Sequence, residues 1–220
     1  MALSARLHAA LLLIDACDTF ADIGTDHAFL PIEACKINAC RKAIACDIVT
    51  GPMKIAQRNI NEAGFTERIE TRLGDGIAPL HDGEADCITI CGMGGQRIIG
   101  ILDKFPDKAK YSRLILQPQH DLTEVRRYLH RLGFMISTEV LVQEDSRFYV
   151  LMLAAFGTQS ESWTEKEYFL GKHLIAQGGV NWQVYVRHQM SKIEGYIQSI
   201  PDEDTLKIAM EKLSWLKEEA

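Results

Sequence analysis

The sequence predicts an α/β fold: a mostly parallel sheet with helices on both faces, closed by an antiparallel hairpin and followed by a helical appendage. Three observations predict it. Short apolar β-type runs alternate with helical stretches through most of the chain. Two consecutive β-type runs, FMISTEVLVQ and RFYVLMLAAFG, have no helix between them. After about Gly157 the β-type runs stop and apolar residues recur at helical spacing. Strand-helix alternation requires parallel pairing through crossover helices, whereas adjoining strands joined by a short turn pair antiparallel.

In chain order, LSARLHAALLLIDAC reads as an amphipathic helix; Arg6 and His8 interrupt its apolar run, so it is not read as a leader peptide. TFADIG is the first strand and LPIEACKIN the helix after it. KAIACDI is the second strand, and GPMKIAQRNINEAG is a helix with Pro52 in its first turn. IETRLGD is the third strand, and ADCITICGMGG holds the fourth, followed by the helix QRIIGILDKF. RLILQPQ is the fifth, and LTEVRRYLHRLG is a helix closed by Gly133. The closing hairpin gives the layout of a Rossmann-like class I methyltransferase sheet, an analogy of fold alone. The expected domains are residues 1–157 and 158–220. In the second, Trp163, Leu170 and Leu174 mark a helix ended by Gly178 and Gly179. Val186, Met190, Ile193, Ile197 and Ile200 follow a 4-3-4-3 rhythm, and Leu206, Ala209, Leu213 and Leu216 continue it past Pro201, the pattern of a coiled-coil seam. Such an appendage serves either packing and dimer formation or the grip on a large substrate; a monomer or weak dimer is expected.

Composition narrows the function. The 220 residues carry a net charge of −6, which argues against coating nucleic acid by charge alone but leaves room for a local basic patch. The six cysteines form no CxxC pair and no His cluster completes a metal site, so they read as buried, reduced thiols in a cytoplasmic protein with no metal. No run approaches the ~18 apolar residues of a membrane span.

Ligands in such sheets bind beyond the carboxyl ends of the strands. Those ends deliver Asp22, Gly24, Thr25, Asp26 and His27; Asp47; Gly74, Asp75 and Gly76; Gly92, Met93, Gly94 and Gly95; and Gln117, Pro118 and Gln119. Asp47 can accept both ribose hydroxyls of a nucleoside. DIGTDHAFLP has a single glycine, where a pyrophosphate-binding turn has three, and its two acids would repel phosphates. A sulfonium with an amino-acid tail suits it, so the inferred cofactor is S-adenosylmethionine, with Gly24 allowing close approach and Asp75 suited to the adenine amino group. CGMGG lacks an aromatic clamp, and its small residues would admit a flat base. A ring nitrogen such as adenine N1 needs no prior deprotonation and becomes cationic on methylation; Asp26 is the candidate to offset that charge, or else a cap for the next helix. Candidate phosphate contacts are Arg97 with Lys54 and Arg58 near the rim, Arg126, Arg127, His130 and Arg131 on one helix, and Lys104, Lys108, Lys110 and Arg113 before the fifth strand; the alternative is a solvated helix face.

Over nearly the whole chain, LSARL, ADIGTDHAFLP, AIACDIVTGPMKIAQRNI, RLGDGIAPL, ITICGMGGQRIIGIL, LILQPQ, VQEDSRFYVLM and LGKHLIAQGGVNWQVYV resemble the bacterial tRNA (adenine(22)-N1)-methyltransferases. The resemblance implies a class I methyltransferase domain, a C-terminal coiled-coil domain and N1 methylation of a tRNA adenosine. By position it implies Asp22, Gly24 and Asp26 as first motif, Asp47 as ribose acid, Asp75 as adenine contact, and Gly92, Met93, Gly94 and Gly95 as acceptor-side loop; among the other strand ends, Gly76 is expected to bind the cofactor and Gln117 the substrate. A small-metabolite methyltransferase and a non-catalytic RNA-binding protein of the same shape are the alternatives.

Overall fold

A computed structural model describes residues 3–157 and 162–220. The parallel strands are β1 (Cys17–Ile23), β2 (Cys40–Asp47), β3 (Ile69–Leu73), β4 (Cys87–Met93) and β5 (Arg113–Pro118); β3, at the sheet edge, buries only Ile69, whereas the aliphatic runs of the other four are buried over most of their length. Burial on both faces is why those four read as near-continuous apolar runs rather than alternating ones. β6 (Phe134–Glu144) and β7 (Arg147–Phe156) form the antiparallel hairpin, and β7 lies antiparallel against β5. The order is β3-β2-β1-β4-β5-β7-β6. It reverses between β1 and β4, where Asp22 stands opposite Thr89. That reversal opens the crevice in which such sheets bind ligands.

The helices start and stop where local chemistry directs. α1 (Ala5–Leu13) is capped by the Ser4 hydroxyl, which accepts the Leu7 N–H. α2 (Phe29–Lys36) follows β1, and α3 (Thr50–Ala63) ends at Gly64 with φ +77. α4 (Gly95–Lys104) is followed by a short α5 (Pro106–Lys110) that the sequence reading left out; Pro106 opens it, since its ring breaks one helix and suits the first turn of the next. α6 (Leu122–Arg131) is terminated by Gly133, φ +84.

The chain separates into two compact units, Met1–Glu161 and Ser162–Ala220. The expected boundary at 157/158 adjoins residues 158–161, which lie outside the described residues. In the second unit the single helix expected from Trp163 is two, α7 (Glu165–Leu170) and α8 (Lys172–Gln177), because Gly171 adopts φ +97 between them. Thr164 and Glu167 form a reciprocal capping box on α7. α9 (Gly179–Ile197) and α10 (Glu203–Glu219) pack together, burying Val186, Ile193, Ala209 and Leu216 of the anticipated rhythm. Among the described residues no helix is long and apolar enough to cross a membrane.

Candidate active site

The turn from β1 into α2 is held from several sides. The N–H groups of Gly24 and Thr25 both donate to the Cys46 carbonyl at 2.9 Å, fixing the turn to the end of β2. Gly24 has φ +73, a conformation that favours glycine, and the Met93 methyl carbon occupies the place a Cβ would take, 2.4 Å from it. Asp26 and Ala28 also have positive φ, +54 and +59. Non-glycine residues keep that conformation only where the surroundings over-determine it; here Asn59 Nδ2 donates to the His27 carbonyl at 3.0 Å. Asp26 does not cap α2, whose N-cap is Ala28 without a side-chain bond. Its carboxylate is largely exposed, 3.4 Å from His27 Nε2. The rings of His27 and Phe29 stack at 5.3 Å in the wall of the cleft and supply aromatic surface that CGMGG lacks.

The other acids differ in what holds them. Asp22 is buried, and its Oδ1 accepts the Thr89 hydroxyl at 2.6 Å. Burial pushes its carboxyl up to about 6 against the opposing pull of the Thr89 bond, with the Asp47 charge adding to the rise. No basic side chain among the described residues pairs with it. Such a carboxylate favours a cationic ligand, which would relieve the cost of its ionised form. Asp47 is oriented by backbone: Oδ2 accepts the Asp26 N–H at 3.2 Å and Oδ1 the Val49 N–H at 2.9 Å. Asp75 instead pairs with Lys104 Nζ at 2.6 Å, which lowers its carboxyl below the usual range. Gly74 and Gly76 line the cleft while the Asp75 carboxylate is taken up by that pair. Gly76, at φ +58, is glycine because a Cβ would meet Ile101 at 2.6 Å.

The cleft holds about 650 Å³ and brings together Asp22, Gly24, Asp26, Asp47, Gly76, Gly92, Met93 and Arg97. Gly94 and Gly95 are small for another reason: a Cβ on Gly94 would lie 2.6 Å from the His120 ring, and one on Gly95 would lie 2.7 Å from the His120 carbonyl. The turn after β5 packs on them. Gln117 is fully buried. Its Oε1 accepts the Gly92 N–H at 3.1 Å and Arg6 Nη1 at 3.0 Å, while Nε2 donates to the Pro118 carbonyl. It braces the loop that carries Gly92. Arg6, which the sequence reading treated only as an interruption in an apolar run, lines the cleft from α1.

Arg126 requires a correction. Expected on a basic face open to RNA, it is fully buried, with Nε 2.8 Å from Glu139 Oε1, itself fully buried. Helical spacing explains the side it faces, since it lies between the buried Val125 and Tyr128 with Leu129 one turn on. A buried arginine paired with a carboxylate ties α6 to β6 and cannot reach a phosphate. Arg127 is half-buried and does not line the cleft. Lys110 pairs with Asp107, Arg113 with Asp15 and Arg58 with Glu62. Among the described residues no group of three or more His, Cys, Asp or Glu is arranged to hold a metal ion.

Comparison with known proteins identifies the family. The tRNA (adenine(22)-N(1))-methyltransferase of Bacillus subtilis is 33% identical over 228 residues, covering 98% of this chain and 96% of that protein. A Streptococcus pneumoniae structure in complex with S-adenosyl-L-methionine superposes with a TM-score of 0.90 at 28% identity, covering 99% of each chain. The M. capricolum TrmK protein in complex with S-adenosyl-homocysteine superposes with a TM-score of 0.86 at 28% identity, covering 98% of this chain and 96% of that one. With residues 20–218 matching the family as a whole, the chain belongs to the tRNA (adenine(22)-N(1))-methyltransferases.

Proposed function

We propose that the protein transfers the methyl group of S-adenosylmethionine to N1 of adenosine 22 in tRNA. The observation that carries the reading is the charge of the first turn. Asp22 is buried with no counter-cation among the described residues, and Asp26 and Asp47 line the same cleft. A pyrophosphate would meet three carboxylates there; a sulfonium with an ammonium tail relieves them.

When bound, the cofactor supplies an electrophilic methyl carbon. The chain's residues position and compensate. Asp47, its carboxylate already aimed by two backbone N–H groups, would hold the ribose hydroxyls. Asp22 would face the cationic methionine part, which Gly24 lets approach the backbone. Gly76 leaves room beside the adenine. On the acceptor side, the reacting ring nitrogen carries its lone pair at neutral pH, so no general base is needed for attack. As the ring gains positive charge, Asp26 offsets it, and the effect strengthens when RNA covers the cleft and excludes water. Much of the acceleration then comes from holding the two reactants in line. Arg97, exposed at the rim, is a phosphate contact. The reading places the protein in the cytoplasm, as a monomer or weak dimer, with the helical unit adding contact to the tRNA.

The test is mass spectrometry of nucleosides from unmodified tRNA incubated with protein and cofactor. The expected product is 1-methyladenosine, lost when adenosine 22 is replaced by guanosine. Unmodified tRNA from a protein that binds the cofactor would overturn the reading.

A further inference from the structure

Three of the basic residues that the sequence offers for phosphate contact are already engaged: Lys104 with Asp75, Lys108 with the carbonyls of Ala78 and Leu80, Arg113 with Asp15. Arg6 is held differently. Its Nη1 donates to Gln117 Oε1 at 3.0 Å, its Nε lies 3.9 Å from Glu144 Oε2, and its guanidinium stands 5.7 Å from the centroid of the Tyr149 ring. Among the described residues nothing bonds Nη2. Glu144 is fixed in turn by accepting the Ala5 N–H at 2.7 Å. Gly92 leaves the guanidinium its place, since a Cβ there would lie 2.9 Å from Nη1. A braced cation with half its fork open therefore lines the acceptor side of the cleft.

Chemistry limits what that fork can take. Donation to adenine N1 would occupy the lone pair that must attack the methyl carbon. A cation against the ring would also oppose the positive charge the ring acquires. Neither objection applies to a phosphate oxygen, whose geometry matches a guanidinium. We propose, resting on the function proposed above, that Arg6 binds the RNA backbone phosphate beside the target adenosine, with Gln117 and Glu144 as the positioning residues that aim it.

The test is steady-state kinetics of the full chain on tRNA at several salt concentrations, with cofactor affinity measured by calorimetry. Arg6→Gln is expected to raise KM for tRNA about tenfold, leave kcat within about twofold, and reduce the slope of log KM against log salt by about one. Cofactor affinity should not change. Arg6→Lys, which keeps the charge but not the fork, should restore the slope with KM about threefold above the starting protein. If Arg6→Gln does not fold, the KM of Arg6→Lys decides the matter. The proposal is overturned by an unchanged KM and slope, by a fall in kcat alone, or by a loss of cofactor affinity that parallels the loss of methylation. A starting protein that methylates no tRNA would overturn the functional reading instead.

Discussion

On the cofactor side of the cleft, Asp22, Gly24, Asp26 and Asp47 come from the ends of two neighbouring strands, β1 and β2. On the acceptor side, Arg6, Gly92, Gln117 and Glu144 are gathered from α1, β4, β5 and β6, with Arg6 and Gln117 separated by 111 positions. The first half is chemistry written in short stretches of chain; the second exists only once the sheet has closed. Two kinds of residue follow. Cofactor-side acids are held by backbone N–H groups or by a hydroxyl, and their carboxylates stay available. Acceptor-side groups hold one another, so a change at one propagates to its partners.

Substitutions can break or sharpen this contrast. The largest effect is expected at Asp26. Asp26→Asn keeps a residue that tolerates positive φ and removes the charge. It should lower kcat by about 10²–10³ with cofactor affinity intact; a normal rate would strip Asp26 of its role. Next is Arg126→Ala, which removes the arginine paired with the buried Glu139 and should cost about 3–5 kcal/mol in chemical denaturation. If it instead weakened tRNA binding at unchanged stability, the buried assignment would fail. Asp47→Ala should weaken cofactor binding about a hundredfold, since two charge-assisted bonds to ribose are lost, and leave tRNA affinity alone; calorimetry showing the original affinity refutes it.

The smallest effect concerns Asp22. Its folded pKa, raised to about 6, means that the carboxylate attracting the cofactor's cation becomes protonated below that pH. Cofactor affinity should therefore hold above pH 6 and drop about tenfold between pH 7 and pH 5. Without cofactor the sign is opposite for stability. A carboxyl raised in the folded state favours folding at low pH, and that contribution disappears as pH rises from its unfolded value to about 6. Asp22→Asn should flatten both profiles.

What could be read in advance follows the same divide. The seven strands were legible because apolar runs bounded by turn residues are local patterns. The anionic first turn was legible because a missing glycine shows in ten letters. Gly94 and Gly95 suggested room for a base, yet the turn at His120 and Asp121 fills that room, and no local pattern shows a turn packing from another strand. Asp75 was placed at the adenine without sight of Lys104, a full helix away. Arg126 misled because the alternation beginning at Phe134 and Ile136 points Thr138 inward. A register shift between Ile136 and Thr138 turns Glu139 to the core instead, creating the buried partner. The hint available was an arginine at inward helical spacing beside Val125 and Leu129. Arg6 was visible as a charge in an apolar run, but its destination depended on β5 and β6.

The free cysteines give the chain a built-in clock for its own opening. Burial pushes the Cys46 and Cys87 thiols up to about 12, so both stay protonated and unreactive at neutral pH. Alkylating reagents must wait for β2 or β4 to come loose before they can react. The rate at which mass is added at these two positions, with and without cofactor, would time the loosening of the strands on either side of β1.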